Sequence, residues 1–162
     1  MRGFALASFD ALCVAQTLHW FDFERFFREV RRVLKPGGVF VAWGYDWMLV
    51  DPEFDAAFRS VVLHPLEPYW ARENRWLWDG YRNVPFPFVR LDAPAIAMEL
   101  AWTFDEWLAY VGTWSATQRW VAERGPRVPQ DAAQGLMRQW GPRDERRRIR
   151  MDLHILAGVA GP

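Results

Sequence analysis

From Ser8 to Tyr45 the chain reads SFDALCVAQTLHWFDFERFFREVRRVLKPGGVFVAWGY, which is strand, polar loop, helix, sharp stop and second strand. Ala11-Leu12-Cys13-Val14-Ala15 is a continuous apolar run, the pattern of a strand buried on both faces. Asp22 stands where an N-cap belongs. Phe23, Phe26, Phe27, Val30, Val33 and Leu34 recur at spacings of three and four and share one helix face. Arg25, Arg28, Glu29, Arg31 and Arg32 take the other. Pro36-Gly37-Gly38 ends the helix, and Val39 to Trp43 forms the second strand. A helix between two such strands is the crossover that parallel neighbours require, and its hand is right. The segment therefore commits the chain to a parallel α/β sheet, with ligands expected beyond the carboxyl ends of the strands.

Downstream, the spacing predicts a helix over 53–63 with Phe54, Ala57, Phe58, Val61 and Val62 on one face. An irregular stretch rich in Pro and Trp follows. Ala95 to Trp102 alternates as a strand, and Thr103 with Glu106 forms a capping box for the next helix. A further helix runs to Glu123, another spans Asp131 to Trp140, and residues 148–157 alternate again as a last strand. The whole of 1–162 is expected to be one partial domain. Residues 8–45 are its core, 46–94 an inserted cap, and 95–157 its terminal strands and helices.

Charge and composition exclude several function classes. Twenty basic and twenty acidic residues cancel, so no global field draws in nucleic acid. The cluster Arg143, Arg146, Arg147, Arg148 and Arg150 is interrupted by Asp144 and Glu145 and lacks interleaved aromatics. No run approaches the roughly 20 apolar residues that span a bilayer, and no signal peptide is evident. The single cysteine, Cys13, reads as a buried small hydrophobe in a reducing compartment, which gives a cytoplasmic expectation. The three histidines, His19, His64 and His154, lack partners at ligand spacings, so no metal site is expected. No G-x-S-x-G nucleophile turn occurs.

The runs Ser8-Phe9-Asp10, Leu18-His19-Trp20-Phe21 and Arg31 to Gly38, with Pro85-Phe86-Pro87 and Trp114 to Arg119 downstream, resemble class I S-adenosylmethionine-dependent methyltransferases. The type 11, trans-aconitate methyltransferase-like group is the nearest in flavour. The resemblance is strongest at 8–45 and 102–120. It implies the C-terminal part of a Rossmann-like methyltransferase sheet carrying a helical, Trp-rich insertion. It also implies that the last strand inserts antiparallel beside residues 39–44, for a spatial order first, second, fourth, third. The family's Gly-rich cofactor turn and its ribose-binding and adenine-side acids have no counterpart in these residues. The chain is therefore expected to begin in mid-domain and to be inactive alone.

The function that the resemblance implies is methyl transfer from S-adenosylmethionine to a small molecule, with a carboxylic acid as the candidate acceptor. Gln16, Thr17 and His19 are the expected cofactor-binding residues. Trp43, Tyr45, Trp114, Ser115, Gln118 and Arg119 are the expected substrate-binding residues, with Arg119 as the partner of a substrate carboxylate. His19 is also a candidate base, although an ionised carboxylate needs none. The alternatives are a non-catalytic remnant, a half-domain that self-associates or pairs with a partner through the open strand edge at 11–15, and a binding module using the Trp-rich middle.

Overall fold

The computed structural model describes residues 3–125 and 127–161. In chain order the elements are β1 (Phe9–Ala15), α1 (Phe23–Val33), β2 (Leu34–Tyr45), α2 (Pro52–Phe58), α3 (His64–Leu66), α4 (Asn74–Trp78), β3 (Val89–Leu91), β4 (Ala97–Trp102), α5 (Phe104–Gly112), α6 (Ser115–Arg124), α7 (Arg127–Trp140) and β5 (Arg147–Val159). They divide between two compact units, one of residues 1–46, 73–97 and 152–162, the other of 47–72 and 98–151.

The first unit is built on the expected strand–helix–strand. β1 runs parallel to β2, with Ala11 opposite Val39 and Ala15 opposite Trp43. β5 lies antiparallel on the other side of β2, and β3 pairs beyond it, giving the order β1-β2-β5-β3. The Asp22 carboxylate accepts the Arg25 N–H at 3.0 Å and starts α1. α1 then buries Phe27, Val30 and Val33. The Phe27 ring meets Phe40 of β2 edge-on at 5.6 Å, and Phe86 and Phe88 complete the cluster.

Three details differ from the pattern in the sequence. The Pro-Gly-Gly segment lies inside β2, where the pairing slips between Phe9 opposite Leu34 and Ala11 opposite Val39. Gly37 has a φ of +75°, and a side chain on Gly38 would stand 2.9 Å from the Lys35 carbonyl, so the bulge needs both glycines. β1, expected to be buried on both faces, buries only Val14, and Cys13 is exposed. The cause is position: among the described residues β1 is an edge strand, paired only with β2. β3 has three exposed residues and no periodicity that would announce it.

In the second unit the expected helix over 53–63 becomes a longer helical run. Asp51 caps α2 through the Glu53 and Phe54 N–H groups. Residues 59–63 then form a π-turn, which leads into α3. Pro65 has no N–H for the carbonyl one turn back, and the wider turn accommodates the loss. The buried side follows the extra residue. Phe54 and Phe58 are buried, Val61 is exposed, and Leu66 returns to the core. The capping box is present, with the Thr103 N–H donating to the Glu106 carboxylate at 2.8 Å and the Glu106 N–H to the Thr103 hydroxyl at 3.3 Å. α5 buries Phe104, Trp107 and Val111. Trp107 is fully buried, ringed by Phe58 at 4.9 Å, Phe54 at 5.2 Å and Phe104 at 5.8 Å.

β4 pairs with β5, as the expected strand order requires. Along β5, Ile149 and Met151 are buried, but from Leu153 the alternation shifts to Leu156 and Gly158. The arginine cluster is consumed locally. Arg143 pairs with Asp105, Arg146 with Glu106, Arg147 with Asp51 and Arg148 with Glu99. These pairs give the cluster a structural role. No helix among the described residues is long and apolar enough to cross a membrane.

Candidate active site

The first unit brings its site to the carboxyl ends of β1 and β2. Immediately after β1, Gln16 takes a left-handed backbone with φ +54°, uncommon for a residue with a side chain. Its amide clamps the neighbouring strand end. Nε2 donates to the Tyr45 carbonyl at 2.8 Å, and Oε1 accepts the Tyr45 N–H at 2.9 Å. The next residue back in β2 is Gly44, and a Cβ there would lie 2.6 Å from Leu77, 2.7 Å from Gln16 Oε1 and 2.7 Å from the Tyr81 hydroxyl. Only glycine leaves room for the clamp. Tyr81 is fully buried, also has a positive φ of 59°, and its hydroxyl has no hydrogen-bond partner. Burial pushes that phenol up to about 12, so it stays neutral.

Opposite Gly44, β5 presents His154, whose Nε2 lies 3.1 Å from the carboxylate of Asp46. The hydrogen bond to Asp46 raises the proton affinity of the imidazole, against the opposing effect of burial. The ring packs beside Gly80, where a Cβ would stand 3.2 Å from Nδ1.

Thr17 and His19 follow Gln16. Thr17 is exposed and lines an open hollow of about 430 Å³ beside β1, with Leu12, Val14, Phe21 and Phe26. His19 lies in a 3-10 turn over Leu18–Trp20 and is 4% exposed, its ring 4.8 Å from Trp20. Its Nδ1 has no partner, and burial lowers its proton affinity more than the negative charge of Glu73 raises it. Trp43 is half-buried between Ala15 and Ile155 in the sheet, and Tyr45 is likewise half-buried.

The other expected substrate residues belong to the second unit. Trp114 precedes α6 and packs within an aromatic group of Phe58, Trp70 and Tyr110 at 5.5 to 6.1 Å. Ser115, Gln118 and Arg119 are exposed on α6. Arg119 Nη1 donates to the Tyr69 carbonyl at 3.1 Å, which fixes its guanidinium against the chain after α3. So Gln16, Thr17, His19, Trp43 and Tyr45 gather at one pair of strand ends, and Trp114, Ser115, Gln118 and Arg119 along one helix.

Comparison with known proteins supplies the family. Residues 1–42 match the family model described as methyltransferase domain. A solved structure titled "a Putative Type II Methyltransferase", from Anaeromyxobacter dehalogenans, is 38% identical and superposes with a TM-score of 0.89 over 99% of this chain and 68% of its own. The chain belongs to the class I S-adenosylmethionine-dependent methyltransferase family. A curated Dictyostelium discoideum protein named "Putative methyltransferase" is 24% identical over 144 residues, which is 85% of this chain. The chain spans about half the length of that relative, 53%.

The family's cofactor can be tested against these residues. His19 Nδ1 is an orphaned, buried polar atom directly beyond β1, and Thr17 offers a hydroxyl beside an apolar hollow. An apolar wall with few polar groups suits an adenosyl ligand; Thr17 lines that wall and His19 does not. Gln16 differs from the others, since its amide is already engaged with Tyr45. No cluster of three or more metal-ligating side chains occurs among the described residues.

Asp46, Tyr81 and His154 complete this end of the sheet, and the sequence marks only Asp46, by its place at a strand end. His154 lies 108 residues away, and nothing local in the sequence marks it as a partner.

Proposed function

We propose that this chain carries the acceptor-side part of a methyltransferase that moves a methyl group from S-adenosylmethionine to a small molecule, with a carboxylic acid as the acceptor class. The observation that supports it best is the Gln16–Tyr45 clamp, which locks two parallel strand ends with His19 and Thr17 beside it. The cofactor supplies an electrophilic methyl on a sulfonium. Thr17 and His19 hold its near side, and Trp43 and Tyr45 shape the apolar wall beside it. Arg119, fixed by the Tyr69 carbonyl, pairs with the acceptor carboxylate. A carboxylate is already ionised, so its transfer rests on alignment. His19 is then a neutral hydrogen-bonding group, in keeping with its lowered proton affinity.

The test is transfer of labelled methyl groups by the polypeptide in its native gene context, offered a panel of acids, phenols and amines. Methylation of an acid supports the proposal; cofactor binding without methylation of any acceptor refutes it. Residues 1–162 alone contain no Gly-rich strand–turn–helix, so this stretch by itself is expected to bind the cofactor only weakly. Micromolar affinity by calorimetry would overturn that.

A second reading, self-association, is favoured by one observation. β1 is an edge strand among the described residues, with its backbone paired on one side.

A further inference from the structure

The second unit holds a recess that shares only Gln118 with the expected substrate residues. α5, α6 and α7 enclose a trough of about 990 Å³, the size of a small-molecule site, floored by Leu108, Val111, Val121, Ala133 and Met137. Beside it lies a partly open apolar cavity of about 40 Å³, and Thr117 belongs to the wall of both. Thr117 is 7% exposed and its hydroxyl has no partner. Two more buried donors without partners, Trp107 Nε1 and Trp120 Nε1, belong to residues of the cavity wall. Buried donors are nearly always satisfied in folded proteins. Trp107 and Trp120 line only the small cavity, which has room for water, so Thr117 is the unpartnered donor that an acceptor in the trough would engage. The rim carries Gln118, Gln134, Arg138 and Arg143, and no acidic residue lines the trough among the described residues. Arg143 is held by Asp105, whereas Arg138 has no carboxylate partner among the described residues.

We propose that this trough binds an amphipathic monocarboxylate, with its hydrocarbon chain on the apolar floor and its carboxylate between the Thr117 hydroxyl and the Arg138 guanidinium. The occupant is an anion because, among the described residues, the charged side chains that line the trough are the arginines Arg138 and Arg143. It is amphipathic because the floor is apolar. The site does not depend on methyl transfer and stands or falls separately from it.

The experiment is titration calorimetry of the 162-residue chain with decanoate and, in parallel, with decyltrimethylammonium, both below micelle formation. Decanoate is expected to bind one to one with a negative heat-capacity change, and the cation much more weakly. Thr117→Val and Arg138→Gln are each expected to weaken decanoate about tenfold, the scale of one charge-assisted hydrogen bond. Ala122→Trp, at an exposed position on the trough wall, should abolish binding with the circular dichroism spectrum unchanged. Equal binding of the two amphiphiles would show an unselective apolar surface and overturn the proposal. So would full affinity in Ala122→Trp, or ordered water on Thr117 in a chain that takes up no decanoate.

Discussion

The imidazole of His154 and the carboxylate of Asp46 meet at 3.1 Å, joining β5 to the carboxyl end of β2. The buried His19 and the half-buried His154 of this unit are tuned in opposite directions. His154 gains proton affinity, chiefly from the Asp46 hydrogen bond, and His19 loses it, chiefly to burial.

Opposite pH dependences follow. A folded-state affinity raised above the ordinary 6.5 contributes stability that is full below 6.5 and is lost as pH rises through the folded value. His154→Gln is therefore expected to destabilise the chain more at pH 5.5 than at pH 8. His19 has the reverse sign. The unfolded chain takes up the proton near 6.5 while the folded chain refuses it, so stability falls as pH drops below 6.5. His19→Phe should relieve that loss. Thermal unfolding from pH 5 to 8 checks both, and a pH-independent difference for either variant would refute its assignment.

Gly44 and Tyr81 should be energetically coupled. Gly44→Ala meets three atoms at 2.6 to 2.7 Å and is expected to cost about 1–3 kcal/mol. Tyr81→Phe removes a hydroxyl that has no partner and should be neutral or stabilising. In the double variant one of the three clashes is gone, so Gly44→Ala should cost less there than alone. Additive denaturation midpoints would contradict the packing described.

The α5 cap and its core residue give two different magnitudes. Thr103→Ala removes the capping box and should cost about 1 kcal/mol. Trp107→Ala empties the centre of an aromatic cluster and should cost about 3–5 kcal/mol. Equal, small effects in urea unfolding would mean that α5 does not pack as described.

In the methyl-transfer assay, Arg119→Ala should raise the acceptor KM and leave the cofactor KM in place. Unchanged acceptor kinetics would remove Arg119 from the site and leave only its bond to Tyr69.

The edge of β1 should drive association at micromolar concentration, and Ala11→Lys should suppress it by placing a charge on the edge. Light scattering decides the point, and a clean monomer before the substitution would count against the second reading.

The parts of this fold legible in the residues alone are those written within one element or one strand–helix–strand unit, while the order of the later strands comes from the family resemblance. The Asp22 cap, the α1 face of Phe27, Val30 and Val33, and the Thr103–Glu106 box are all local signals, and each lies where its spacing put it. Cys13 is exposed where the apolar run implies burial, because such a run does not say whether a strand has two neighbours or, as among the described residues here, one. The candidate site was legible only as strand ends. The Gln16 clamp, the Tyr81 hydroxyl over Gly44 and the His154–Asp46 pair depend on residues brought together from separate segments, which no periodicity records.

The π-turn over 59–63 acts as a spacer of one residue in an otherwise regular helix. At 3.6 residues per turn, deleting Ser60 would swing every later side chain by about 100°. Leu66 would leave the core and an exposed neighbour would face it. A shorter segment here is therefore tolerable only if the apolar residues beyond it move one place along the chain. Length and pattern in this stretch are inherited together, and an alignment that slides a gap freely through it would misplace the hydrophobic face.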